Sequence, residues 1–65
     1  MMNSNPYSYD ECLAILDVCV GLERHTRLDP DPAVAVLLGK GLITKILSMK
    51  HFSRLELMRE VIGYL

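Results

Sequence analysis

Apolar residues recur at steps of three and four from residue 8 to the end of the chain, the spacing that gathers them on one side of an α-helix. Three helices are predicted, over residues 9–26, 32–49 and 54–65. In the first, Cys12, Leu13, Ile15, Leu16, Cys19, Val20 and Leu22 fill a broad apolar side. Asp10, Ala14, Asp17, Gly21 and Arg24 leave only a narrow stripe for water. In the second, Val34, Leu38, Leu42, Ile43, Ile46, Leu47 and Met49 turn toward a core, with Lys40, Thr44, Lys45 and Ser48 outside. In the third, Leu55, Met58, Ile62 and Leu65 point inward with Leu57 and Val61, and Arg54, Glu56, Arg59, Glu60 and Gly63 point outward. No strand-like alternation, internal repeat or low-complexity stretch competes with this reading. The expectation is an all-α, three-helix compact domain over residues 8–65, preceded by a loose lead-in over residues 1–7.

Residues between the periodic segments support these boundaries. Ser8 with Glu11 three positions later has capping-box spacing, and Tyr7 with Cys12 could supply the accompanying hydrophobic staple. Ser53 with Glu56, and Phe52 with Leu57, repeat both signals before the third helix. In Asp29-Pro30-Asp31-Pro32, each proline pushes its predecessor away from helical dihedrals, so one helix ends and Asp31 caps the next, with Pro32 as its first residue. Gly39 and Gly41 are poor residues for the middle of a helix. They should either mark a bend or admit another backbone, and Ala35 with Gly39 is the better pair for close packing.

Composition adds a reason to expect a partner. A chain of 65 residues makes one domain, and 51% of it is hydrophobic although so small a body has little interior. Disulfides, metals or association usually make good such a shortfall. Cys12 and Cys19 lie about 10.5 Å apart along one helix at 1.5 Å per residue, beyond the reach of a disulfide. Two thiols at core spacing suggest a reducing compartment. Without a secretory leader or an apolar run long enough to span a membrane, the expected location is the cytoplasm. Net charge is −1, unevenly spread: residues 1–31 hold six acids and two bases, and residues 32–65 two acids and five bases. The two halves should attract one another or another copy.

Candidate chemistry is sparse, and neither an enzyme nor a bound cofactor is expected. His25 and His51 have no acidic or cysteine neighbour at a catalytic spacing, although folding could bring Cys19 to His51. Cys12, Cys19, His25 and His51 are enough in number for zinc but lack the paired short spacings of a zinc site, so no metal is expected. Gly39-Lys40-Gly41 departs from a phosphate-binding loop at both diagnostic positions, Val34 and Gly41. Helices two and three could form a helix-turn-helix with Lys40, Lys45, Lys50, Arg54 and Arg59 on phosphates. A nucleic-acid-binding regulator using this basic half is the alternative reading, opposed by the slightly acidic whole. The leading expectation is a non-enzymatic protein–protein interaction module, a homodimer or an adaptor subunit of a larger complex. Its interface is placed at Ala35, Gly39, Leu42, Ile46 and Met49, with Leu16 and Val20 on the first helix.

Several features together resemble the YejL family of small bacterial helical proteins: Tyr7-Ser8 before an acidic helix start, Leu22-Glu23-Arg24-His25 at its end, an acidic turn, Leu38-Gly39, then Ile43-Thr44-Lys45-Ile46-Leu47 and a final capped helix. The resemblance covers nearly the whole chain with short gaps and implies a compact helical homodimer; it supplies no catalytic residue. A fainter likeness, through three short helices and Leu28-Asp29, is to the MOZART family of helical adaptors that bind microtubule-nucleating proteins.

Overall fold

In the computed structural model, which describes residues 6–24 and 31–65, the chain is all-helical, with four α-helices among the described residues. The first, α1, spans Tyr9–Glu23 and starts as its sequence directs. Ser8 is the cap: its Oγ accepts from the Glu11 amide at 3.1 Å, and Glu11 Oε1 accepts from the Ser8 amide at 2.8 Å. These two bonds satisfy amides that the first helical turn leaves without partners. Tyr7, the expected staple residue, packs against the buried cluster that contains Cys12. The end of α1 lies at Glu23 with Arg24 as its cap; residues 25 and 26, the remainder of the predicted helix, fall outside the described residues. The lead-in over residues 1–5, His25, Leu28 and the first half of the Asp-Pro turn also fall there.

The predicted second helix is two helices: α2, Pro32–Leu38, and α3, Lys40–Ser48. Asp31 caps α2 as expected, accepting from the Ala33 amide at 2.9 Å, with Pro32 in the first turn. The break falls at Gly39, whose φ of +81° and ψ of 151° lie in a region essentially closed to residues with a side chain. Its amide still donates to the Ala35 carbonyl and its own carbonyl accepts from Ile43, so one residue ends α2 and begins α3. Gly39 is therefore a bend. A β-carbon built there would meet nothing within 4 Å, so no described backbone of this chain packs closely on it.

The last helix, α4, spans His51–Tyr64 and starts before the expected position. Lys50 is its cap and makes no side-chain capping bond; Ser53 already lies within the first turn, so the predicted capping box does not form. Phe52, 78% exposed, is not a staple. Tertiary contacts account for the earlier start. His51 and Arg54, three residues apart on one helical face, both bind Glu23 at the end of α1, an arrangement that helical geometry from residue 51 onward favours.

Helix α1 packs against each of the other three. It runs antiparallel to α4, because Glu23 at the end of α1 meets His51 and Arg54 at the start of α4, while Tyr7 and Tyr64 meet at the other end with ring centroids 6.5 Å apart. The core is small: Cys12, Ala14, Ile15, Val18 and Cys19 of α1 enclose Leu38, Ile43, Ile46 and Val61. Burial corrects each of the three predicted faces, and on α3 Leu47, expected in the core, is exposed. Ala14 and Gly21, expected in the wet stripe of α1, are buried, whereas Leu13 and Val20 are exposed. On α4, Val61, Leu57, Met58 and Tyr64 turn inward, whereas Leu55, Ile62 and Leu65 stay in solvent. The anchors at Glu23 and Tyr7, one near each end, set the rotation of α4.

Candidate interaction surface

Tyr9, Leu13, Leu16 and Val20 form a continuous line along α1, at successive steps of four, three and four. All are exposed except Leu16, which is half-buried. At 100° per residue, this line adjoins the edge holding Cys12 and Glu23 and lies away from Ala14 and Val18. On α4 the matching line is Leu55, Met58, Ile62 and Leu65, with Met58 half-buried and the others exposed. It adjoins the Arg54–Val61 edge and lies away from Ser53, Glu56 and Glu60, which border a cleft shared with Lys45 of α3 and with Met49 just after it. Both lines thus occupy the side of the α1/α4 pair remote from α2 and α3. Leu13 is 43% exposed and Ile62 56%, so part of the apolar excess of the composition lies on this open face, while Val36, Leu37, Leu47 and Phe52 are exposed elsewhere.

The seven residues expected at an interface do not form one surface. Leu16 and Val20 lie on the open α1/α4 face. Ala35, Gly39, Leu42, Ile46 and Met49 belong to the other layer, where Ile46 is fully enclosed by the core and Leu42 and Met49 pack against it. Ala35 borders an apolar groove of about 410 Å³ at the α2/α3 elbow with Val36, Lys40, Ile43 and Thr44. Tyr9, Leu13, Leu55, Met58, Ile62 and Leu65 were missed as surface residues. The signal that could have found them was the width of the apolar arc on α1, too broad for one neighbouring layer, combined with a three–four spacing repeated on both helices.

Polar contacts are concentrated where α1 meets α4. Arg54 Nε donates to Glu23 Oε2 at 2.9 Å, His51 Nδ1 lies against Glu23 Oε1, and Arg54 also donates through Nη1 to the Met49 carbonyl. The Arg54 hydrogen bond holds the Glu23 carboxyl below the usual range, assisted by His51. Cys19 is fully buried nearby, and burial pushes its thiol up to about 11, against the opposing pull of Arg54. A thiol in that state is protonated at neutral pH and is a poor nucleophile. At the other end of α4 the Tyr64 hydroxyl donates to Glu60 Oε2 at 3.0 Å, which raises the Tyr64 pKa.

Two of the five basic residues proposed for phosphate contact lie beside acidic side chains. Arg54 is committed to Glu23 and Met49, and Lys45 borders the α3/α4 cleft together with Glu56 and Glu60. Among the described residues no group of three or more histidine, cysteine, aspartate or glutamate side chains is arranged to hold a metal ion, and no helix is long and apolar enough to cross a membrane. Comparisons with protein-family models, curated proteins and solved structures found no match to this chain.

Proposed function

We propose that the chain is a non-enzymatic protein–protein interaction module that docks the open face of α1 and α4 onto another helical chain. One observation carries the reading: two apolar lines, at the three–four spacing of helices that pack side by side, run along one face of an antiparallel pair and, among the described residues, are exposed or half-buried. Isolated exposed apolar residues are ordinary on a protein surface, but two adjoining lines along paired helices are a surface that water covers poorly. The two reduced, buried thiols suit a reducing compartment such as the cytoplasm.

Carbene footprinting tests this. Labelling of Leu13, Val20, Leu55 and Ile62 is compared between the dilute purified chain and the same chain in extract of the cells that make it, with Val36 at the α2/α3 elbow as the control. Protection confined to the α1/α4 face is expected. Equal labelling of that face in both samples would sink the reading.

A further inference from the structure

We infer that the elbow between α2 and α3 is a binding site for a small apolar monocarboxylate, such as a short aliphatic acid, with its tail in the groove and its head at Lys40 and Thr44. The site lies away from the α1/α4 face and does not depend on the docking reading above.

Gly39 makes the groove. On a single continuous helix Ala35, Val36, Lys40, Ile43 and Thr44 would spread over one convex half of the cylinder, at 100° per residue. At the positive φ of Gly39 the chain folds instead, and the same five residues border an apolar groove of about 410 Å³. That size falls within the range of roughly 300–1,000 Å³ typical of small-molecule sites. Ile43 is buried and Ala35 half-buried, so they form its floor, and Val36, 85% exposed, stands as an open wall.

The polar groups of the groove converge on its α3 edge. Lys40 and Thr44 are four residues apart, so their side chains are neighbours on that helix. Among the described residues Lys40 is in no ion pair, the Thr44 hydroxyl is in no hydrogen bond, and no acidic side chain borders the groove. The α3/α4 cleft is the contrast: there Lys45 has Glu56 and Glu60 on the opposite wall, and the positive charge is already balanced. An apolar groove with one unbalanced cation and one neighbouring hydroxyl complements a ligand with an apolar body and a single negative head. A carboxylate meets both groups at once, because its two oxygens can accept from the Lys40 ammonium and the Thr44 hydroxyl together. An uncharged apolar molecule would leave the ammonium unused, and a cationic one would be repelled.

The test is titration of the full chain with octanoate, followed by methyl and amide NMR shifts, with the helicity of every variant checked by circular dichroism. Saturable shifts at Ala35, Val36, Ile43 and Thr44 are expected at millimolar octanoate or below, and none at Leu13 or Ile62. From butanoate through hexanoate to octanoate, affinity should rise about two- to four-fold for each added methylene as more of the tail is covered. Lys40→Gln should weaken octanoate roughly five-fold and leave 1-octanol unchanged. Val36→Glu, at a position already in solvent, should weaken octanoate at least as much by repulsion. Absence of octanoate binding overturns the inference, and so do shifts centred on Leu13 and Ile62. An octanoate affinity that Lys40→Gln leaves unchanged, or an equal loss for 1-octanol in that variant, overturns it as well. None of these results bears on docking at the α1/α4 face, for which Val36 stays the footprinting control in extract dialysed free of small molecules.

Discussion

Arg54 reaches from the first turn of α4 to the last residue of α1, where its Nε donates to Glu23 Oε2 at 2.9 Å while its Nη1 donates to the carbonyl of Met49. One guanidinium thus ties together the end of α1, the connection after α3 and the start of α4. Its planar fork of donors permits this; a lysine could not satisfy both acceptors in the same geometry. Because the Glu23 carboxyl is held below its ordinary range, the folded state binds its proton less readily than the unfolded chain does. This contribution to stability is fully present above the ordinary carboxylate range and is lost as pH falls through the lowered value. Urea midpoints measured across acid pH should therefore fall on acidification, and Glu23→Gln should flatten that fall. An identical pH profile in the variant would remove Glu23 from the account.

The two glycines of the predicted second helix should respond to alanine in opposite directions. Gly39 occupies positive φ with extended ψ, so Gly39→Ala is expected to cost about 1–3 kcal/mol through backbone strain, with no clash involved. Gly41 lies within α3 with open space where a β-carbon would go, so Gly41→Ala should stabilise by about 0.5–1 kcal/mol. Chemical denaturation of both variants checks the pair.

Ser8 and Ser53 have the same sequence signature but different fates. Ser8→Ala removes a cap that accepts from the Glu11 amide and should lower stability by about 1 kcal/mol. Ser53 is inside α4, so Ser53→Ala should change stability by no more than about 0.5 kcal/mol, in the stabilising direction that alanine's helix propensity favours. Equal losses at the two positions, read from thermal or urea unfolding, would contradict the placement of the α4 start.

Cys12 and Cys19 are free and buried, and burial raises the Cys19 thiol to about 11. A disulfide-exchange reagent at neutral pH should leave both thiols unreacted in the native protein and titrate both in denaturant. The sign for alkaline pH follows from the same shift. The unfolded thiol ionises first, near its ordinary value of about 9, so the folded state loses relative stability as pH rises from there toward 11. Cys19→Ser is expected to remove that alkaline loss, as seen in the unfolding midpoint.

Local signals in the sequence determined the helical class, the start of α1 at Ser8, the start of α2 at Asp31-Pro32 and the apolar surplus, because capping bonds, proline geometry and helical periodicity act over a few neighbouring residues. The start of α4 was not legible in the same way. Ser53 and Glu56 form a satisfactory local capping signal, yet Glu23, far away in the chain, binds His51 and Arg54 and draws the helix back to residue 51. Gly39 was visible as a weak point, but whether the chain would bend there depended on the backbone it adopts in the fold, and its φ of +81° makes it a bend. The open face was decided at the tertiary level for the same reason. Periodicity identifies which residues share a side of α1 or α4, but only the mutual rotation of packed helices selects which apolar arc is buried. With Ala14 and Val18 buried in the core, and α4 anchored through Arg54 and Tyr64, Leu13, Val20, Leu55 and Ile62 were left outside.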